Sequence, residues 1–308
     1  MRIINDLSFT SKDFTSPAVT IGSYDGLHLG HQEIIKRVIE RAKGTGGDAV
    51  ILTFEPHPVK LLHPELQIPL ITPHRKKLML LERFGVDVTI NLPFTKNLAH
   101  MSAEEFIRRI VLERIAPRWV IVGFNFSFGK DGKGTAEELI KLGEGFGIEV
   151  EVIPPYTVNG EVISSTRIRE LIMAGSVAKA NSMLGRDFII LGKVIHGHAR
   201  GKNLGFPTAN LKITSDLYPK KGVYAVTVTA NEKTYQGVMN IGTNPTFGDE
   251  ESAVEVFLFN YEGDLYGKEL RVAVAERIRD EQTFPTPDAL VQQIEKDIQK
   301  AKKILRGK

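Results

Sequence analysis

Through roughly the first half of the chain, up to about residue 154, apolar runs of strand length alternate with segments whose apolar positions recur every three or four residues. A strand covered on both faces needs a continuous apolar run, and an amphipathic helix covering it needs the 3.6-residue period. The alternation therefore predicts an open parallel α/β sheet. Residues 18–22 read as the first strand, and Ile34, Ile35, Val38, Ile39 and Ala42 form the stripe of the helix that follows. Further strands are expected over 49–54, 86–92, 120–122 and 148–153, with a helix over 76–84. Ser102 with Glu105, and Thr135 with Glu138, have the spacing of capping boxes at helix starts. Asn159-Gly160 is a hairpin signal between Tyr156 and Ile163. Two short helices follow over 167–173 and 177–184, closed by Gly175 and Gly185.

Beyond Gly185 the period changes to that of short strands, over 188–195, 223–229, 235–241, 254–261 and 270–278, separated by Gly, Asn and Pro turns. This predicts a small antiparallel β-barrel. Pro287 opens a last helix with the stripe Leu290, Ile294, Ile298, Ala301 and Leu305. The change of period sets a domain boundary near Gly185, giving 1–185 and 186–308. No internal repeat is visible.

Composition narrows the chemistry. The chain has 308 residues, 42% of them hydrophobic and 25% charged, enough for two globular cores. Forty basic residues against 37 acidic ones leave a formal charge of +3, too even for a dedicated nucleic-acid surface, so anion binding must be local. The sequence has no cysteine, which excludes disulfides, thiolate metal sites and thiol nucleophiles and suits a reducing cytoplasm. Residues 1–10 lack the apolar core of a signal peptide, and no run is long enough to span a bilayer. A cytoplasmic protein with neither nucleic acid nor membrane as partner is expected. Oligomeric state is not encoded in any of these features.

The loop Gly22-Ser-Tyr-Asp-Gly-Leu-His28-Leu-Gly-His31 runs from the first strand into a helix. A helix N-terminus offers amides and a positive dipole end, so glycines that allow close approach and two imidazoles on one turn suit a phosphate cradle. His28 and His31 would donate to charge building on phosphorus. The same letters also fit two surface histidines at a glycine turn; the position after strand one of an α/β sheet favours the cradle. Ile163-Ser-Ser-Thr-Arg167-Ile-Arg169 places three hydroxyls and two guanidiniums at a helix start, suited to polyphosphate or, equally, to a helix cap with solvated arginines. Between them, residues 123–134 alternate glycine and aromatic side chains around Asn125, as a stacking surface or as core-facing strand residues.

In the C-terminal third, residues 192–210 are glycine-rich and basic, but three residues between Gly197 and Gly201, and Asn203 after Lys202, depart from a P-loop. Glycine-turn amides can still cradle phosphate, and Thr208 can ligate Mg2+. Along residues 254–259, alternation puts Glu255 on the face of Phe257 and Phe259, opposite Val254, Val256 and Leu258. Lining a cavity, that carboxylate would act as a general base; on a wet face it is an ordinary polar residue.

Residues 22–31, Phe54-Glu-Pro-His-Pro58, 123–134 and 163–169 together resemble the FMN adenylyltransferase module of bacterial bifunctional FAD synthetases. Residues 204–210, Gly222-Val-Tyr224-Ala, Asn240-Ile-Gly-Thr-Asn-Pro245-Thr-Phe and Glu255 resemble the riboflavin kinase module of the same enzymes. The resemblance implies a Rossmann-like α/β nucleotidyltransferase domain followed by a six-stranded antiparallel barrel with a C-terminal helix. It implies that His28 and His31 meet the ATP phosphates, within an ATP site of Gly22, Asp25, Gly30, Ser164, Ser165, Thr166 and Arg169. Flavin would be held by Asn125, Phe54, Pro56, Pro58 and Phe128. In the barrel, Gly201, Lys202, Gly205, Pro207, Thr208 and Asn210 would bind Mg-ATP, with Thr208 on the metal and Glu255 activating the ribityl hydroxyl. The expected substrates are riboflavin, FMN and ATP, with FMN and FAD as products and Mg2+ as cofactor. Tyr24 stands where the family usually has phenylalanine, a mild departure.

Two other classes share parts of this pattern. His28-Leu-Gly-His31 also resembles the HIGH box of class I aminoacyl-tRNA synthetases, but the paired Lys-Met-Ser-Lys-Ser loop is absent, its nearest fragment being His100-Met-Ser-Ala. A flavin-binding regulator without catalysis would have no need to keep His28, His31, Thr208 and Glu255 together.

Overall fold

All four residues of the run 18–21 are buried, as a parallel strand covered on both faces must be. The structure, a computed structural model, describes residues 1–196, 205–213, 215–243 and 252–306. They divide into two compact units, Met1–Ser165 and Thr166–Lys308.

In the first unit, β1 (Arg2–Ile4), β2 (Ala18–Ile21), β3 (Ala49–Glu55), β4 (Val88–Pro93) and β5 (Trp119–Gly123) precede a small antiparallel ribbon, β6 (Ser127–Phe128) with β7 (Gly134–Thr135), and then β8 (Glu149–Ile153). The six-stranded sheet has the order β1-β4-β3-β2-β5-β8, with every pairing parallel. Helix α1 (Leu29–Thr45) buries Ile34, Ile35, Val38 and Ala42, the expected stripe, and ends on left-handed Gly46. Then come α2 (Pro58–Leu62), α3 (His74–Phe84), α4 (Lys96–Ala99), α5 (Ala103–Phe106) and α6 (Ala136–Phe146). The hydroxyl half of each expected capping box is present: Ser102 Oγ accepts from Glu105 N at 3.1 Å and Thr135 Oγ1 from Glu138 N at 3.3 Å. After Phe106 the helix widens to a π-helical turn, Ile107–Leu112, which the periodicity did not signal. The Asn159-Gly160 turn joins β9 (Thr157–Val158) to β10 (Glu161–Val162), with both turn residues at positive φ.

The second unit holds most of α7 (Ser165–Met173), then α8 (Val177–Leu184), and a closed barrel of β11 (Phe188–Ile195), β12 (Ala209–Ile213), β13 (Gly222–Ala230), β14 (Lys233–Thr243), β15 (Ser252–Leu258) and β16 (Glu269–Arg279), in the order β11-β12-β15-β14-β13-β16. Strand β12 starts inside the segment read as a glycine loop. Its five residues do alternate, with Ala209, Leu211 and Ile213 apolar, but the run is short, and pairing with β11 and β15 makes it a strand. Val226, Val228, Met239, Val254, Val256, Leu258, Val272 and Val274 are all buried. Helix α9 (Pro287–Leu305) covers part of the barrel's outside, where Ala301 and Leu305 pack with Val223, Ala225, Phe259, Ala275 and Ile278. Its buried Asp297 carboxylate takes both Nε and Nη2 of Arg279.

The change of element type does fall at Gly185, yet α8 packs against β11 and β16. Asn181 explains this attachment. Its amide donates to the carbonyls of Val274 and Ala275 and accepts from Phe188 N at 2.8 Å.

Candidate active sites

Strand β2 sits where the sheet order reverses: β3, β4 and β1 lie to one side, β5 and β8 to the other. Crevices beyond the carboxyl ends of strands at such a switch point are where α/β sheets bind ligands. The loops after β2, β3 and β5 all leave from that edge, and most of the residues expected in the nucleotide and flavin sites lie in them or in the elements that border them.

Loop 22–28 has Tyr24, Gly26 and Leu27 at φ of +52°, +88° and +43°. Tyr24 and Leu27 are buried, so packing pins these left-handed positions. Gly22 leaves room for the Tyr24 ring, which a Cβ would meet at 3.1 Å. The Tyr24 hydroxyl shares a hydrogen bond with Thr20 Oγ1, and burial drives the phenol's pKa up. His28 is buried and caps α1, its Nδ1 accepting from His31 N at 3.3 Å. In the neutral ring that assigns the proton to Nε2, leaving a donor on the other edge. The two imidazoles stack at 3.6 Å between centroids and 16° between planes, and Tyr24 meets His31 edge-on at 5.1 Å. Gly30 is needed beneath them, since a Cβ there would lie 3.3 Å from the His28 ring.

Asp25, expected in the ATP site, turns its buried carboxylate inward to accept from Ile71 N at 3.2 Å and Thr72 N at 2.9 Å. An anion facing polyphosphate would repel it; facing two amides, it anchors the loop. Ser165 Oγ donates to the Asp25 carbonyl at 2.8 Å. Ser164 is half-buried next to it, and Thr166 (exposed) and Arg169 (half-buried) follow along α7. Sequence reading missed Lys77, a buried α3 residue whose Nζ donates to Ser23 O at 2.8 Å and Thr53 Oγ1 at 3.3 Å. Burial lowers its pKa, with Glu55 and Asp25 opposing. Lys76-Lys77 looks like a solvated helix face, and only the three-dimensional packing reveals the burial.

After β3, Phe54 is half-buried and meets Phe94 edge-on at 5.5 Å. Pro56 follows a cis bond from Glu55 and is exposed, while Pro58 is the first residue of α2 behind the His57 cap. After β5, Asn125 is exposed, and Gly123 lets the strand end approach α1, because a Cβ would meet Ile34 at 3.3 Å. The expectation for Phe128 is corrected. It is 7% exposed in the core, stacked on Phe126 at 5.2 Å and close to Phe106. Close approach of Gly129 and Gly134 to Ala103 holds this segment against the core. The open aromatic of the loop is Phe124, at 44% exposure.

In the barrel, strand pairing does the positioning. Glu255 is the register partner of Asn210 on β12 and of Asn240 on β14. Directly paired residues share a face, so the three polar side chains form one row. Val254, Val256 and Leu258 point to the buried side, and Phe257 and Phe259 belong to the face packed beside α9. The half-buried carboxylate is therefore on the outside of the barrel, in an aromatic surround. Phe206 meets Phe257 edge-on at 5.6 Å, which brings the 205–208 segment to this face. Thr208 is half-buried, Pro207 is exposed, and Gly205 is exposed at φ +84°. Gly201 and Lys202 lie outside the described residues. Glu281, not expected, comes close: a Cβ on Gly242 would sit 2.5 Å from its Oε1 and 3.3 Å from Asn240 Nδ2.

Among the described residues no group of His, Asp and Glu side chains forms a ready-made metal cage. The hydroxyl, amide and carboxylate of Thr208, Asn210 and Glu255 are hard oxygen donors of the kind Mg2+ takes together with water and phosphate. No described helix is long and apolar enough to cross a membrane.

A family model described as FAD synthetase matches residues 10–167, and one described as riboflavin kinase matches residues 184–305. A bifunctional riboflavin kinase/FMN adenylyltransferase of Listeria monocytogenes is 36% identical over 284 residues, 91% of this chain and 90% of the relative. Its counterpart in Escherichia coli K12 is 35% identical over 280 residues, 91% and 90% of the two chains. A solved structure from Streptococcus pneumoniae, described as a macrolide-efflux protein, matches with a TM-score of 0.88 at 34% identity, covering 98% of this chain and 99% of that one.

Proposed function

Since this chain belongs to the bifunctional riboflavin kinase/FMN adenylyltransferase family, we propose that it makes FAD from riboflavin in two ATP-dependent steps, each at its own site. In the barrel, Glu255 accepts the proton of the terminal ribityl hydroxyl as that oxygen attacks the γ-phosphorus of ATP and ADP departs. Thr208 and Asn210 hold the nucleotide and would contribute to binding Mg2+. When bound, Mg2+ supplies charge neutralisation at the phosphate oxygens. The observation that supports this step most directly is the pairing of Glu255 between Asn210 and Asn240, which sets a base beside polar donors on an aromatic face.

The α/β unit then needs no protein nucleophile. The FMN phosphate attacks the α-phosphorus of ATP and expels pyrophosphate, so the protein's task is alignment and charge stabilisation. His28 and His31, stacked at the start of α1, donate to oxygens that gain charge. Gly22, Gly30 and Ser164 line the ATP side, whereas Asp25 and Ser165 act by holding the loop. Phe54, Pro56, Pro58, Asn125 and the open ring of Phe124 face the flavin.

The test is a time course with purified chain, riboflavin, ATP and Mg2+, products being separated by chromatography. FMN should appear first and FAD after it. Failure to consume ATP with either riboflavin or FMN would refute the proposal.

A further inference from the structure

Alternate carbonyls of loop 22–28 are each tied by a side chain from a different helix. Ser23 O accepts from Lys77 Nζ of α3 at 2.8 Å, Asp25 O from Ser165 Oγ at the start of α7 at 2.8 Å, and Leu27 O from Gln32 Nε2 of α1 at 2.8 Å. The positive φ angles of Tyr24 and Gly26 lie between these ties, and that of Leu27 at the last of them. A left-handed conformation costs a non-glycine residue about 1–2 kcal/mol, and it persists only where the surroundings over-determine it. A passage between right- and left-handed residues is the backbone setting in which anion-binding nests form, and such a nest requires carbonyls held away from the anion.

We propose that Lys77 is a positioning residue for adenylyl transfer, which together with Gln32 and Ser165 ties the carbonyls of loop 22–28 back so that the loop stays shaped for the ATP phosphates. This rests on reading the first unit as the site of that reaction. Gln32 demonstrates that a neutral donor suffices to hold a carbonyl. Burying an ammonium is costlier, and here it also sets a positive charge beneath the loop that would receive a polyanion. Asp25 and Glu55, the acidic groups acting on it, oppose the lowering of its pKa by burial.

The full-length chain allows an internal control, because riboflavin phosphorylation takes place in the other unit. Lys77→Met should lower kcat/KM for ATP in FMN adenylylation by about 10- to 100-fold, mostly through KM, while riboflavin phosphorylation stays within about twofold. Gln32→Leu should shift the same parameter by a few-fold, and Lys77→Arg, which keeps the charge, should recover part of the loss. Conversion of FMN to FAD by the wild type settles the underlying reading separately. If the wild type performs it and Lys77→Met matches it within twofold, the proposal is overturned. A loss confined to kcat, equal in Lys77→Met and Lys77→Arg, would overturn it as well. Should Lys77→Met fail to fold, as judged by circular dichroism, Gln32→Leu and Ser165→Ala decide: wild-type KM for ATP in both rejects the proposal.

Discussion

The expected phosphate cradle of the α/β unit is one loop and the polar row of the barrel spans three strands, and the two are stabilised in different ways. Loop 22–28 has two non-glycine residues in left-handed conformations, and side-chain ties and the packing of Tyr24 and Leu27 are prominent among its constraints. The barrel row Asn210, Glu255, Asn240 is fixed by backbone ladders that extend on both sides of it, seven register pairs between β14 and β15 alone. A ladder keeps its register when one side chain is cut, since the hydrophobic pattern of the whole strand sets it. A tied loop has no such redundancy. Substitutions in the barrel row should therefore remove chemistry and leave geometry alone, whereas substitutions around the loop should alter geometry and chemistry together.

The sharpest test of this contrast is Glu255→Gln. Loss of a general base costs about 10²- to 10⁴-fold, so riboflavin phosphorylation should fall by that factor with little change in KM for riboflavin or ATP. Added FMN should still be converted to FAD at the wild-type rate. A parallel fall in both steps would erase the distinction between the sites. His28→Ala and His31→Ala come next, each expected to slow adenylylation by about 10- to 10³-fold and to let FMN accumulate from riboflavin. Because the rings stack at 3.6 Å and one caps the helix bearing the other, the double variant should lose much less than the product of the two. Multiplicative losses would mean that the imidazoles act independently and that the loop is stiffer than its ties suggest.

The same contrast explains what was legible in the sequence. The cradle is local: Gly22, His28, Gly30 and His31 are close in the chain, and the strand before and helix after them have strong periods. The row in the barrel is non-local. Glu255 stood out by its alternation with Phe257 and Phe259, but its pairing with Asn210 depends on β12, whose five alternating residues straddle the end of a glycine-rich segment and are too short to stand out until their neighbours are in place. Lys77 was invisible for a related reason, a charged residue in a charged helix, buried only because α3 lies against loop 22–28. Phe128 was misjudged because a glycine-rich aromatic segment is equally consistent with a stacking surface and with a core plug, and close backbone contact at Ala103 selects the plug. Asp25, expected in the ATP site, has its carboxylate on the amides of Ile71 and Thr72, a direction that a loop motif does not specify.

The smallest effect separates the two units by pH. An exposed lysine loses its proton near about 10.4, and burial brings Lys77 down from its ordinary value, with Glu55 and Asp25 pulling the other way. Above that lowered value the charge beneath loop 22–28 is gone, so kcat/KM for ATP in adenylylation should decline on the alkaline side by a few-fold. Lys77→Arg should move the decline to higher pH, and riboflavin phosphorylation in the same samples should not share it. Unfolding makes the opposite prediction for this group: a lysine whose folded pKa lies below its unfolded one binds fewer protons in the native state, so its contribution to stability grows as pH climbs between the two values. An alkaline loss of adenylylation in the wild type that Lys77→Arg reproduces at the same pH would show that the charge under the loop plays no part.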